Sequence, residues 1–387
     1  MPASGEVEQA PSLGVYLHWP FCQAICPYCD FNVTRARDLD QALWAGCFER
    51  ELKHFHSMSP RHMLRSIFFG GGTPSLMQPE IVARLIRRIR ALWPAPGAVE
   101  ITLEANPGDV SPGSLEAWAA AGITRLSLGV QALRDADLRA LGRKHTGRQA
   151  VLAIGQAQAV IPMVSFDLIY GRPGQTRAAW AEELAWALDL KPGHLSLYQL
   201  TIEPGTAFER AKSRGALVLP AESALAGMYD TAQELCAAAG LDAYEVSNHA
   251  AQHNRCVHNQ IYWRCGEYVG VGPGAHGRLF LDGKRLASEA IKNPGEWVQS
   301  VKREGHGLLP MQRLNKPDQV AELLLMGLRL SEGVDRTRIE ALLPGGLDQD
   351  RVRDLQDAGL LARDGLRLRA TGRGRAVLNA VLAELLA

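Results

Sequence analysis

The sequence predicts an α/β protein: a partial (βα)6 barrel of the TIM type, followed by a C-terminal α+β subdomain of winged-helix-like pattern. Three observations carry that expectation. From Val15 to about Asn248, short apolar runs alternate with longer segments whose apolar residues recur near every 3.6 positions. Most of the runs end in a polar or glycine-rich cluster, and the C-terminal ends of strands are where α/β barrels carry chemistry. After Asn248 this texture breaks, and a helical period resumes only near Pro310.

In chain order the strand candidates are VYLHW (15–19), SIFF (66–69), EITLEA (100–105), RLSLGVQ (125–131), VSFDLIY (164–170) and HLSLYQL (194–200). Between them lie helical patterns such as IVARLIRRIRALW (81–93) and AWAEELAWALDL (179–190). Strands separated by helices read as parallel crossovers. Trp19 leads into Pro-Phe-Cys, Phe69 into GGGTPS, Leu103 into Glu104-Ala105-Asn106-Pro107, Val130 into Gln131 and Tyr170 into GRPGQT, so these residues should meet on one rim. The expected organisation is a flexible leader (1–13), the barrel (14–250), a connecting region (251–309) and the C-terminal subdomain (310–387). The stretch 253–277 has no clean period and reads as loops with short strands. From 350 to 386 the pattern is helix, glycine, short strand pair, turn and helix. No repeat recurs at a fixed period.

Composition narrows the function classes. The chain has 387 residues, 47% hydrophobic and 21% charged, which is ordinary for a core-forming protein. Lys and Arg number 42 against 41 Asp and Glu, so bulk charge does not hold it to nucleic acid or anionic lipid. No stretch reaches the roughly 18 apolar residues of a spanning helix. The first residues, MPASGEVEQAPSLG, lack both Lys/Arg and an apolar core, so no export signal is expected and the cytoplasm is the expected location. Seven cysteines is an odd number, and three of them fall within positions 22–29, which favours metal or redox chemistry over a disulfide framework.

Those three are Cys22-x3-Cys26-x2-Cys29, placed directly after the first strand. Thiolates suit zinc and iron–sulfur clusters. A structural zinc site wants four ligands, and no second C-x2-C is present; a zinc completed by a distant histidine, or a chance group of free thiols, is the bland alternative. Three thiolates on a 4Fe-4S cube leave one iron open to a small molecule.

This spacing resembles the signature of the radical S-adenosylmethionine (SAM) superfamily. YLHWPFCQAICPYCDFN (16–32), IFFGGGTPSL (67–76), EITLEANPG (100–108), RLSLGVQ (125–131), LGRKH (141–145), FDLIYGRPGQT (166–176) and YQLTIEPGT (198–206) are similar to its HemN/HemW branch, from about Val15 to the C-terminus. The resemblance implies a radical SAM barrel, a 4Fe-4S cluster on Cys22, Cys26 and Cys29, and SAM on the open iron. By motif position it implies SAM contacts at Tyr16, Tyr28, Gly71, Gly72, Thr73, Glu104, Gln131, Arg143 and Asp167. Tyr28 would lie against adenine, Glu104 and Asp167 would accept from ribose hydroxyls or the amino group, and Arg143 would pair with the carboxylate. Taken singly, each acid is more often a helix cap or a solvated strand end.

Within the branch, three features resemble the heme chaperones more than the oxygen-independent coproporphyrinogen III dehydrogenases. Phe31 stands where the dehydrogenase pattern continues to a fourth cysteine, only 21 residues precede Cys22, and His258-Asn259-Gln260-Ile261-Tyr262-Trp263 matches an HNxxYW motif associated with heme. The resemblance therefore implies heme as cargo, with His258, Asn259, Tyr262 and Trp263 as candidate contacts. Acceptor heme proteins of respiration are the implied partners, a homodimer is an option, and nucleic acid is not expected. The alternative is the dehydrogenase reaction, oxidative decarboxylation of coproporphyrinogen III; radical modification of another substrate is a third class. Cys256 and His276 are further candidate heme ligands, and a histidine beside aromatics is more often a hydrogen-bonding core residue.

Two other patterns are set aside. Gly270-Val271-Gly272-Pro273-Gly274 resembles a dinucleotide loop, but Pro273 removes an amide and no helical period follows. Arg363, Arg367, Arg369, Arg373 and Arg375 read as a solvated face, and Cys47, Cys236 and Cys265 as small buried residues.

Overall fold

Six parallel strands stand side by side in chain order: β1 (Ser12–Trp19), β2 (Met63–Gly71), β3 (Glu100–Ala105), β4 (Arg125–Gln131), β5 (Met163–Tyr170) and β6 (His194–Gln199). The computed structural model describes residues 10–387. The leader expected over 1–13 lies outside the described residues up to residue 9, and β1 is already under way at Ser12. Amphipathic helices Gln41–Met58, Pro79–Leu92, Pro112–Ala121, Gly147–Val160 and Arg177–Asp189 return the chain between strands. Leu13, Val15, Leu17 and Trp19 alternate along β1 and are at most 1% exposed, packed outward against those helices.

The barrel does not close. On the β1 edge, β7 (Glu267–Val271) adds in parallel, followed by antiparallel β8 (His276–Leu281) and β9 (Lys284–Glu289). On the β6 edge, Asn248–Ala250 pairs antiparallel and covers the last parallel strand. Residues 253–277 are therefore more ordered than their sequence suggests: they hold β7, the start of β8 and a helix, Val257–Trp263. That helix has no side-chain cap of its own. Its N-terminus is capped across space by Glu100 on β3, whose Oε1 accepts the His258 N–H at 3.0 Å. A cap borrowed from another strand leaves no local signal.

The C-terminal region has a second core around Val320, Leu324, Val334, Val352, Leu368 and Val381, carried by helices Lys316–Gly327, Gln349–Asp357 and Leu378–Leu386. Its strand pair is not the local one expected. Arg367–Leu368 pairs with Val334–Asp335, upstream of the 350–386 segment, and only a single bridge, Leu361 with Ala370, is local.

Glu51, on the first helix, ties three separated segments together. Its buried carboxylate accepts the Gly272 N–H at 2.8 Å, the Gly307 N–H at 2.7 Å and the Trp297 indole N–H at 3.1 Å. Glu51→Ala leaves three buried donors without partners and should lower unfolding free energy by about 3 kcal/mol, read as a shifted urea midpoint.

Histidines 145, 194, 249 and 258 are buried, and burial holds each below the usual imidazole range, His258 at about 3 and His145 and His249 at about 4. On acidification the unfolded chain takes up protons that the folded one refuses, so stability is present above pH 6.5 and lost as pH falls towards 4. The raised carboxyls of Glu51, Glu104 and Asp167 act in the opposite sense, so the check is a comparison: urea midpoints should fall less across that window in His258→Gln than in the wild type, and an unchanged slope would contradict a neutral buried ring at His258.

Candidate functional site

The cysteine loop is welded to the barrel by backbone hydrogen bonds. Phe21–Cys22 runs parallel to Thr34–Arg35, with the Thr34 N–H on the Pro20 carbonyl at 2.7 Å and the Ala36 N–H on that of Cys22 at 2.9 Å. The end of β2 clasps the same loop: Gly72 N–H donates to the Trp19 carbonyl at 2.7 Å and Thr73 N–H to that of Phe21 at 2.8 Å. Only glycine fits there. A Cβ on Gly72 would lie 2.7 Å from the Phe21 oxygen and 3.0 Å from Cys22 Sγ, and Gly71 has φ +108° with its Cβ position 2.7 Å from the His18 ring.

Cys22, Cys26 and Cys29 are free thiols on one wall of a cleft of about 770 Å3. Burial pushes Cys29 up to about 11 and raises Cys22, so by themselves these sulfurs favour the thiol form. A bound cluster supplies the positive charge that makes these groups thiolates. Among the described residues no three His, Cys, Asp or Glu side chains converge on a single-ion site.

The opposite wall is polar and poised. Glu104 accepts the Gly71 N–H at 3.2 Å; burial, and next the neighbouring Asp167, push its carboxyl up to about 8. Asp167 is raised to about 6 by burial, against the pull of Ser196 and Arg143. Arg143 donates to the Gly129 carbonyl at 2.8 Å, to Asn106 Oδ1 and to Cys26 Sγ at 3.4 Å. Gln131 ends β4 with φ +70°, where the register to β5 slips. A non-glycine residue held there is strained, and such strain collects at binding sites. Gln131 Oε1 and Arg143 Nε are buried without partners. Orphaned polar atoms, a glycine cradle and two half-buried acids in one cleft with three thiols fit a cluster with a zwitterionic ligand on its open iron.

The structure thus brings Tyr28, Gly71, Gly72, Thr73, Glu104, Gln131, Arg143 and Asp167 into the cysteine cleft. Tyr16 does not line it. On β1 it faces an adjoining cavity, with its hydroxyl 3.1 Å from His18 Nδ1. Asn106, Ser127 and Gly129 belong to the cleft but were not among the expected contacts. Ser127, Gly129 and Gln131 share one strand face by the two-residue period, and that was the available signal.

The adjoining cavity, about 810 Å3, shares Glu104 with the cleft and is walled by Tyr16, His18, Phe68, Tyr268 and the start of the HNxxYW segment. His258 is 1% exposed and both ring nitrogens are engaged, Nδ1 with Ser66 Oγ at 2.8 Å and Nε2 with the Tyr262 hydroxyl at 2.7 Å. Asn259 and Tyr262 line the same cavity. Trp263 does not. It faces the C-terminal subdomain, where the Arg329 guanidinium lies 4.5 Å from its ring centroid. Cys256 is buried with its thiol 3.4 Å from Glu100, whereas His276 is exposed and lines the cavity. Of the tail arginines, Arg363 pairs with Asp357, and Arg367 donates to the Glu332 and Gly333 carbonyls at 2.6 and 2.8 Å.

Three cysteines at this spacing on the rim of a partial barrel, clasped by a glycine strand end, define a radical SAM protein, and residues 16–187 match the radical SAM superfamily. Residues 314–377 match the HemN C-terminal domain. Within the superfamily the chain belongs to the HemW family. It is 33% identical to heme chaperone HemW of Escherichia coli over 97% of this chain and 99% of that one. It is 38% identical to HemW of Synechocystis over 82% of this chain and 78% of that one. The bovine radical S-adenosyl methionine domain-containing protein 1, mitochondrial, is 38% identical over 100% of this chain and 89% of its own length. The solved coproporphyrinogen III oxidase HemN of Escherichia coli shares the fold, with TM-score 0.81 and 20% identity over 97% of this chain and 90% of that one.

Replacing Cys22, Cys26 or Cys29 by Ala should abolish the sulfur-to-iron absorbance and the bound iron and sulfide after anaerobic reconstitution. Gly72→Ala should do nearly the same with all three thiols intact, because its methyl group collides with the loop backbone. Undiminished iron in the cysteine variants would sink the cluster assignment.

Proposed function

We propose that this protein is a heme chaperone, which binds heme and hands it to acceptor heme proteins of respiration. The observation that carries this reading is the pair of cavities on one barrel, one fitted for a cluster and SAM, the other aromatic and histidine-lined, which share Glu104 in their walls. Cys22, Cys26 and Cys29 hold the cluster. When bound, the cluster supplies an open iron and a one-electron donor. Arg143 pairs with the SAM carboxylate, the Gly71–Thr73 segment accepts from its ammonium group, and Tyr28 flanks adenine. Glu104 and Asp167 accept from the amino group or ribose hydroxyls.

In the second cavity heme packs against Tyr16, Phe68 and Tyr262, with Asn259 at its edge. His276 is the axial ligand in this reading, because its ring is exposed to the cavity while both nitrogens of His258 are already engaged. His258 then acts as a positioning residue that holds Tyr262. Glu104, touching both spaces, lets the state of the SAM site bias heme affinity. No helix among the described residues is long and apolar enough to cross a membrane. The cytoplasm, no nucleic-acid partner and an optional homodimer complete the proposal.

Hemin titrated into the full chain should saturate near one per protomer. His276→Ala should weaken binding at least ten-fold and alter the Soret band; His258→Ala should weaken it without that spectral change. Absence of saturable binding overturns the chaperone reading. Turnover of coproporphyrinogen III with SAM and reductant would replace it with the dehydrogenase.

A further inference from the structure

The barrel lumen beneath the cluster cleft is hollow and polar. A cavity lies between Thr102 and Glu104 on β3, Arg125 and Ser127 on β4, Ser165 and Asp167 on β5 and His194 on β6. Barrels of this class ordinarily fill that space with branched apolar side chains. Here three polar atoms at its wall have no partner: Arg125 Nη1, His194 Nδ1 and Thr102 Oγ1. Their residues are 1%, 2% and 0% exposed.

The partners of the remaining atoms define what is missing. Arg125 Nε donates to Glu100 Oε2 at 2.9 Å and Nη2 to the Asn254 carbonyl at 2.7 Å. The other oxygen of Glu100 is taken by the His258 N–H at 3.0 Å and the Cys256 thiol at 3.4 Å. Glu100 therefore shares its charge with a helix N-terminus, and Arg125 keeps part of its own uncompensated. His194 Nε2 lies 2.9 Å from the Tyr244 hydroxyl, and in the tautomer that accepts from Tyr244 its Nδ1 carries a proton into the lumen. A guanidinium N–H, an imidazole N–H and a hydroxyl around one buried space complement a carboxylate, and desolvation lifts the two acids that share it, Glu104 and Asp167, towards their neutral forms. The lumen shares Phe68, Glu104 and Asn259 with the aromatic cavity, so the two spaces adjoin.

We infer that the lumen is a carboxylate-binding subsite, with Arg125 Nη1 as its principal donor, that receives a propionate arm of the porphyrin seated in the aromatic cavity. The inference rests on the heme-carrier reading and adds the part of the cargo that is recognised. Its rival is a lumen that holds only water.

Hemin and hemin dimethyl ester, in the same mild detergent, are titrated into the full-length reconstituted protein. The variants are Thr102→Val and the double substitution Glu100→Gln/Arg125→Met, which removes both charges at similar volume and keeps an acceptor for the His258 N–H. The wild type should bind hemin about ten-fold or more tightly than the diester, as expected for losing a charged hydrogen bond. The double variant should bind both with the diester's affinity, and Thr102→Val should narrow the gap by about three-fold. Equal affinities in the wild type, or a preference that survives the double substitution, overturn the subsite and leave the carrier reading standing. Saturable binding of neither porphyrin overturns the carrier reading and the subsite with it. The wild-type comparison needs no variant, so it decides the matter even where the double substitution does not fold.

Discussion

Two backbone hydrogen bonds, from Gly72 to the Trp19 carbonyl and from Thr73 to that of Phe21, hold the rest of the site in place. They fasten the end of one parallel strand to the loop that leaves its neighbour, so the thiols are presented by rigid backbone rather than by a free tether. The close approach forbids a side chain at Gly72 and forces the left-handed turn at Gly71. With the loop fixed, Cys26 comes within reach of Arg143, and Glu104 within reach of the Gly71 amide. Cluster, SAM pocket and acid pair thus follow from one local constraint. Desolvation raises Cys22 and Cys29, and the positive charge of a bound cluster is what makes such groups thiolates.

The helix Val257–Trp263 plays a comparable part on the other side of the barrel. Residues four apart share a helix face, so His258 and Tyr262 both look into the barrel and bond to each other, while Trp263 looks out to Arg329. One short motif therefore serves two surfaces. Glu100 underlies it, capping the helix with one oxygen and pairing Arg125 with the other. Neither the helix nor the ion pair is independent of the other, and a residue at the start of a strand sets both.

Much of this was legible in the sequence, and the limits have physical reasons. The six barrel strands were visible because each is a buried apolar run ended by polar residues, and because the cluster-binding spacing sits on one loop. Eight of nine expected SAM contacts fall in the cysteine cleft because strand ends converge whatever the details of the sheet. Tyr16 lines the adjoining cavity for the opposite reason. Strand alternation puts it inside the barrel with His18, but which of two internal cavities it meets depends on the neighbouring Phe68 and His258. The helix at 257–263 was hidden because its cap lies on a distant strand. The C-terminal strand pair was missed because Arg367–Leu368 finds its partner near Val334 rather than within its own segment. That His258 has no free nitrogen is likewise a tertiary fact, set by Ser66.

A barrel that keeps a polar lumen gives up the packing that would fill it, so its stability has to arise elsewhere. The register shows how the space is kept open: Ser127 stands beside Ser165, and Asp167 beside Ser196, so short side chains meet where large apolar ones would otherwise touch. The compensation lies outside the sheet. Trp44 stacks on Trp297 at 5.3 Å between centroids, Phe48 packs beside both, and Trp180 stacks on Tyr170 at 5.2 Å. Such aromatic contacts bury large areas and add specific geometry beyond area alone. Most of the largest fully buried side chains, Trp19, Trp93, Trp118, Trp180 and Trp297 among them, belong to this outer shell. Stability is concentrated between sheet and helices, which frees the interior to remain hollow, charged and available to a ligand.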